Sequence, residues 1–168
     1  MTGNIRKIGL PSATIASALL LMAPMLASAQ SPHFIGTPTI TKSISGTTAT
    51  LTTSGKIAGL GSAPTQVFLT TSGVTAETAC TNNGGNNPPG QEAHFGPTQG
   101  QIATIHPRNG QVTFQNAASL SITVTAAQAG CPDSMTPSIT SAIFSDVVLH
   151  IQQGGTDILT YNFGTVDP

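Results

Sequence analysis

The chain has 168 residues, of which 7% are charged and 4% aromatic, and residues 30–168 carry only three basic and six acidic side chains. Such a composition excludes a nucleic-acid-binding protein, which needs clustered Lys and Arg to replace phosphate counterions, and it disfavours anionic membrane surfaces for the same reason. A chain of this length suits one domain with one modest hydrophobic core.

The N-terminus has the pattern of a cleaved export signal. Arg6 and Lys7 form a short positive start, the run over 8–26 is mostly apolar, and the small residues Ala27-Ser28-Ala29 follow it. We therefore predict that residues 1–29 are a signal peptide. Cleavage then leaves Gln30 as the first residue of a secreted chain, which is extracellular or periplasmic.

Two forms of membrane attachment are the alternatives to a cleaved signal. A permanent membrane helix needs an unbroken apolar run, and Pro11 and Pro24 interrupt this one. A lipid anchor needs a cysteine directly after the cleavage position, where Gln30 stands. We therefore expect no membrane anchor.

Short strands are predicted along the rest of the chain. Alternating or β-branched runs are separated by Gly, Pro and Asn at nearly regular spacing, which is typical of a sandwich or barrel. The predicted strands are 49–53, 66–71 with a continuation over 74–80, 102–106, 111–116, 119–125, 139–144, 147–152 and 158–163. We predict an immunoglobulin-like antiparallel β-sandwich of about seven to eight strands over residues 39–168, preceded by a loose segment at 30–38.

Two turns and a short ambiguous segment connect these strands. Asn109-Gly110 is a pair that tolerates positive φ at both turn centres, and Gly154-Gly155 separates two apolar runs, so that 147–163 is predicted to be a hairpin. Residues 126–130 form either one helical turn or a coil that leads to Cys131. The expected core side chains are Leu51, Ile57, Val67, Leu69, Ile102, Val112, Phe114, Ile122, Val124, Ile139, Ile143, Val147, Leu149, Ile151, Leu159 and Phe163.

Cys80 and Cys131 are the only cysteines. In an exported chain an even pair predicts a disulfide, whereas free thiols and a metal site are the alternatives. No histidine stands close to either cysteine in the sequence to complete a zinc site. The bond would close a loop of about fifty residues and stabilise the fold by roughly 4 kcal/mol in the chain-entropy model.

The segment 81–101 is rich in Asn, Gly and Pro, which favour turns over regular strands. We predict that it is irregular throughout. The disulfide would attach its beginning to the segment Cys131-Pro132-Asp133. A loop of this length in a compact domain is usually functional or poorly ordered.

Two motifs contain the cysteines: residues 80–91, Cys-Thr-Asn-Asn-Gly-Gly-Asn-Asn-Pro-Pro-Gly-Gln, and residues 129–132, Ala-Gly-Cys-Pro. Both resemble motifs of a group of secreted bacterial proteins of unknown function, and the resemblance extends loosely over most of the chain after residue 29. It implies the disulfide and an exported β domain, but no activity. Members of the group carry a Trp after the second cysteine, whereas this chain has no Trp, and Met135 and Pro137 lie in that region.

A candidate ligand site consists of polar residues that the disulfide would bring together. Amide side chains offer paired donors and acceptors that suit sugar hydroxyls, whereas Ca²⁺ usually takes several carboxylates and only two are present. The alternative is that Asn and Gly are present because tight turns need positive φ. The candidate residues are Asn82, Asn83, Asn86, Asn87, Gln91, Glu92 and Asp133.

No motif in the sequence specifies a reaction or a cofactor. The four histidines, His33, His94, His106 and His150, are not spaced as metal ligands, and no Gly-x-Ser-x-Gly nucleophile motif occurs. We therefore expect no metal, no cofactor and no enzymatic activity.

Three classes of function remain open. We expect a secreted, non-enzymatic binding or surface module, whose partner is a carbohydrate or a surface protein. The first alternative is a pilin-like structural subunit of a surface fibre assembled by strand exchange, although pilins of the chaperone-usher type usually carry their first cysteine near the start. The second alternative is an extracellular hydrolase that uses Glu92 and Asp133 as an acid/base pair.

Overall fold

The computed structural model describes residues 31–167. The predicted signal peptide and its cleavage position lie outside these residues. The described part of the chain contains no helix and eleven strands, which are β1 (His33–Phe34), β2 (Thr39–Ser45), β3 (Thr48–Ala58), β4 (Thr65–Thr71), β5 (Gly73–Thr81), β6 (Ala93–Phe95), β7 (Thr98–Gln99), β8 (Ala103–Ile105), β9 (Val112–Thr123), β10 (Thr136–Gln153) and β11 (Thr156–Val166).

The eleven strands of residues 31–167 occupy seven strand positions in two antiparallel sheets. In sheet A, β1 and β2 follow one another along one edge of β3, and β9 pairs with the other edge. In sheet B, β4 and β5 follow one another along one edge of β10, and β11 pairs with the other edge of β10. The outer edge of β4 pairs with β7 and β8, and the outer edge of β5 pairs with β6. This strand order is that of an immunoglobulin-like sandwich, so the predicted fold class and strand number are confirmed.

The connections alternate between the two ends of the sandwich. The disulfide end carries the connections β2–β3, β5–β6 and β9–β10. The opposite end carries the connections β3–β4 and β10–β11 and the turn that precedes β9. The predicted hairpin at 147–163 is confirmed, because β10 and β11 pair across the turn at Gly154–Gly155.

The core lies between the sheets and contains most of the expected side chains. Two of the expected side chains, Ile102 and Ile143, lie outside it. Ile102 was expected to be buried but is 48% exposed, because it lies between β7 and β8 at the outer edge of sheet B. Ile143 is only half-buried, and its neighbour Phe144 is buried instead. Leu159 and Phe163 are partly buried, because β11 is an edge strand.

Two bulges explain the position of Ile143: one at Thr140, where the pairing of β10 with β5 shifts between Ile139 and Ser141, and one at Asp146. Asp146 has a positive φ of 49°, and the pairing of β10 with β11 shifts between Phe144 and Val147. An extra residue in a strand moves the following side chains to the other face. The buried face of β10 is therefore odd-numbered at Ile139, even-numbered at Ala142 and Phe144 between the two bulges, and odd-numbered again from Val147 onward, which simple alternation does not predict.

Two local expectations are corrected, and one open alternative is decided. Residues 81–101 are not irregular throughout, because β6 and β7 lie within them. The segment 30–38 is not loose over His33–Phe34, which form β1 and pair with the end of β3. Residues 126–130 form consecutive turns and no helix, with Gly130 at a positive φ of 64°.

Candidate functional site

The disulfide between Cys80 and Cys131 is present, as predicted, with Cα atoms 5.5 Å apart. Cys80 is buried near the end of β5, and Cys131 follows the turns at 126–130. The bond therefore attaches the β9–β10 connection to the start of the Asn-rich loop. Thr125 and Gln128 stabilise these turns, because the Gln128 side chain accepts from the Thr125 backbone N–H and the Thr125 hydroxyl accepts from the Gln128 backbone N–H.

The Asn-rich loop folds back along β5. The backbone N–H of Cys80 donates to the carbonyl of Pro88 at 2.9 Å, and the backbone N–H of Gly90 donates to the carbonyl of Thr78 at 2.8 Å. Ala79 and Pro89 form an antiparallel bridge between them. The returning arm of the loop thus extends the edge of sheet B that β6 continues.

A second set of contacts attaches the returning arm to the β9–β10 connection. The backbone N–H of Gln91 donates to the carbonyl of Ala129 at 2.7 Å, and the Thr78 hydroxyl donates to the carbonyl of Gln91 at 2.6 Å. Gly90 lies so close that a Cβ atom there would be 2.2 Å from the Thr78 hydroxyl oxygen and 2.8 Å from the Ala129 carbonyl oxygen. Only glycine therefore fits at this position without displacing the arm.

The tip of the loop is a tight turn organised by Asn82. Its side-chain Oδ1 accepts from the backbone N–H groups of Gly84 and Asn86, and its backbone carbonyl accepts from Gly85, which has a φ of 80°. Asn82 therefore stabilises its own turn, as the structural alternative predicts for Asx residues. Asn87 takes part as well, because its side-chain oxygen accepts from the Thr81 hydroxyl.

A cleft of about 450 Å³ lies between the returning arm, β5 and β10 at the disulfide end. Its volume is within the range of small-molecule sites. Thr140 reaches it because the β5–β10 pairing shifts between Ile139 and Ser141, which makes Thr140 a bulged residue. The lining residues are Glu77, Thr78, Ala79, Asn87, Pro89, Gly90, Glu92 and Thr140.

The structure divides the predicted site residues into four groups. Asn87 and Glu92 line the cleft, whereas Asn82 and Gln91 hold the loop. Asn86 contributes its backbone to the turn at the tip. Asn83 and Asp133 do not line the cleft and make no side-chain hydrogen bond within residues 31–167. Sequence reasoning missed Glu77 and Thr140, because their positions depend on the pairing of β5 with β10.

The cleft presents mainly hydrogen-bond acceptors. Glu77 and Glu92 are exposed carboxylates, and ionised carboxylates accept hydrogen bonds but do not donate them. Asn87 and Thr140 add amide and hydroxyl groups, and none of the described residues that line the cleft is basic or aromatic. Glu92 has one internal partner, His94, whose Nε2 lies 3.0 Å from its carboxylate.

Residues 31–167 offer neither a metal-binding cluster nor a membrane-spanning helix. These residues contain no group of three or more His, Cys, Asp or Glu side chains that could hold a metal ion. No helix in the described part of the chain has the length and apolar character of a membrane span.

No protein-family model matches the chain, and no curated protein is significantly similar to it.

Proposed function

We propose that the protein is a secreted, non-enzymatic binding module, and that the cleft at the disulfide end is its ligand site. One observation carries the proposal: the loop that forms one wall is attached on both sides, to β5 by backbone pairing and to the β9–β10 connection by the disulfide and the Gln91–Ala129 bond. A preformed loop at the end of a rigid sandwich loses little entropy when it binds a partner.

The composition of the cleft favours a ligand that presents hydrogen-bond donors. Glu77 and Glu92 accept from sugar hydroxyls and from the ammonium or guanidinium groups of a protein surface, and Asn87 pairs with either. A carbohydrate or the basic segment of a surface protein therefore fits better than an anionic or apolar ligand.

The test is a direct binding screen of the chain from Gln30 to Pro168 against neutral glycans and Lys/Arg-rich peptides, measured by calorimetry. Glu77→Gln and Glu92→Gln keep the shape of each side chain but remove its charge, and we expect each to weaken binding about tenfold, as for the loss of one charge-assisted hydrogen bond. Asp133→Asn is the matched control, because Asp133 does not line the cleft. Binding that survives both cleft substitutions, or no saturable binding at all, refutes the proposal.

The two alternative functions gain less support. A pilin-like subunit needs an open groove for a donated strand, whereas in residues 31–167 β11 pairs with β10 from Phe144 to Gln153. A hydrolase was expected to use Glu92 with Asp133, but of these two only Glu92 lines the cleft. Of the three functions, the binding module is the one that the lining of the cleft and its attached loop support.

A further inference from the structure

A second pocket, of about 360 Å³, lies at the opposite end of the sandwich. It is formed by the end of β3, the segment after β8, the turn at Arg108–Gln111 and the start of β9. The lining residues are Lys56, Ile105, His106, Arg108, Gln111, Val112 and Thr113.

This pocket concentrates positive charge in a chain that carries very little. Residues 30–168 contain three basic side chains, and two of them, Lys56 and Arg108, line this pocket together with His106. None of the described residues that line it is acidic. Within residues 31–167 the ion pairs join Glu92 to His94 and Asp157 to His150, so neither basic side chain of the pocket has an internal counter-charge.

The backbone is held in place at both basic residues, whose side chains are exposed. Arg108 and Gln111 exchange backbone hydrogen bonds of 2.8 and 3.0 Å across a tight turn, in which Asn109 and Gly110 have φ values of 51° and 70°. The carbonyl of Gly110 accepts from the backbone N–H of Leu60, which attaches this turn to the β3–β4 connection. Lys56 lies directly opposite Thr113 in the β3–β9 pairing.

We propose that this pocket binds one oxyanion group: a carboxylate, sulfate or phosphate, either free or carried by a small sugar. The planar guanidinium of Arg108 matches two oxygens of such a group, and the Lys56 ammonium supplies a point charge. Gln111 and Thr113 add neutral donors at the same pocket. Two basic side chains in one pocket suit one anionic group and fall far short of the array that a nucleic acid requires.

This anion pocket, lined by Lys56 and Arg108, is separate from the cleft at the disulfide end, which is lined by Glu77 and Glu92. The two sites lie at opposite ends of the sandwich, share no residue and carry opposite charge. The anion pocket can therefore fail its test while the cleft passes, and the reverse also holds.

The test titrates the chain from Gln30 to Pro168 with sodium sulfate and sodium phosphate, and with sodium chloride at matched ionic strength, while backbone amide NMR shifts are recorded. We expect saturable shifts confined to residues near 56 and 105–113 for the two oxyanions, and none for chloride. Thermal stabilisation is avoided as the readout, because sulfate stabilises folded proteins without binding at a site.

Arg108→Gln and Lys56→Gln are expected to weaken oxyanion binding about tenfold each, as for the loss of one charge-assisted hydrogen bond. Lys42→Gln removes the same charge outside the pocket and is expected to bind sulfate like the unchanged chain. The spectra of the variants without ligand show whether each is folded. Diffuse, non-saturable shifts, or full binding by a folded Arg108→Gln variant, would overturn the proposal.

Glucuronate and glucose, added in separate titrations, identify the source of the oxyanion. Tighter binding of glucuronate than of sulfate supports a sugar-borne carboxylate, whereas binding of sulfate without glucuronate supports a free ion. Equal binding of glucose and glucuronate contradicts an oxyanion pocket, because glucose has no charge.

Discussion

The imidazole Nδ1 of His150 lies 2.9 Å from a carboxylate oxygen of Asp157, and this pair joins β10 to β11 on the outer face of sheet B. The other ring nitrogen, Nε2, lies 3.0 Å from the hydroxyl of Thr70 on β4. The ring also stacks on Phe68, with centroids 4.9 Å apart and planes 6° apart, so that Phe68 is only 5% exposed although it faces outward. One histidine thus connects three neighbouring strands.

Asp157→Asn is expected to lower the free energy of unfolding at neutral pH by about 0.5 kcal/mol, a small value because the carboxylate is partly exposed to solvent. Burial acts to raise the pKa of Asp157, but the hydrogen bonds from His150 and Gln152 and the charge of His150 outweigh it and hold the pKa below its ordinary value of 3.8. A carboxyl whose folded-state pKa is depressed stabilises the fold above its unfolded pKa, and this contribution is lost as the pH falls through the folded pKa. The difference between the two proteins should therefore be present at pH 6 and shrink in acid, as the pH falls below the ordinary pKa of 3.8 and through the lower pKa of the folded state.

Chemical denaturation at several pH values measures this difference. Asp133→Asn is the control, since the Asp133 side chain makes no hydrogen bond within residues 31–167 and its removal should leave stability unchanged. A gap between Asp157→Asn and the unchanged chain that is the same at pH 6 and in acid would contradict the proposed linkage.

The double variant Cys80→Ala/Cys131→Ala is expected to lose roughly 4 kcal/mol of unfolding free energy, the chain-entropy value for a loop of this length. The two cysteines are 51 residues apart, and their bond anchors both the Asn-rich loop and the β9–β10 connection. Urea denaturation measures the loss, and limited proteolysis should cleave the 82–92 region faster than in the unchanged chain. The expectation is wrong if the urea midpoint and the cleavage rate are unchanged.

Most of the fold follows from the sequence because strand alternation and turn residues are local signals. Leu51, Val67 and Leu149 are buried as expected, and the turns at Asn109 and Gly154 lie where the sequence places them. Two of the failures occur at bulges, where a positive φ at a non-glycine residue interrupts alternation. Asn116, with a φ of 47°, lets two predicted strands continue as one strand, β9, and Asp146 shifts the buried face of β10.

The candidate site is less predictable, because it depends on pairing between distant segments. Asn87 and Glu92 belong to a conspicuous loop and could be chosen from composition alone. Glu77 looks like any exposed polar residue of a strand, and Thr140 faces the cleft only because the pairing of β5 and β10 shifts there. The anion pocket likewise unites Lys56 with Arg108, which are 52 positions apart in the sequence and meet through the pairing of β3 with β9.

Gly90→Ala is expected to weaken both stability and ligand binding at the cleft. A Cβ at this position would overlap the Thr78 hydroxyl and the Ala129 carbonyl, so the returning arm of the loop must move away from β5. Gly84→Ala at the tip is the matched control, because its added Cβ would come no closer than 3.3 Å to a neighbouring atom. We expect a clearly lower melting temperature for the first variant only, and equal melting temperatures for the two variants would contradict the role assigned to Gly90.

Thr53→Val is expected to stabilise the protein. Thr53 is fully buried on the inner face of β3, and its hydroxyl has no hydrogen-bond partner among residues 31–167. A buried hydroxyl without a partner loses its bonds to water and gains none, whereas valine has nearly the same shape and no such group to desolvate. The gain in the free energy of unfolding should be about 1 kcal/mol, measured by urea denaturation.

Thr71→Val is the contrasting variant. The Thr71 hydroxyl donates to the carbonyl of Gly73 at 2.9 Å, so this substitution should destabilise the fold. A loss of stability in Thr53→Val comparable to that in Thr71→Val would show that the Thr53 hydroxyl is paired in solution.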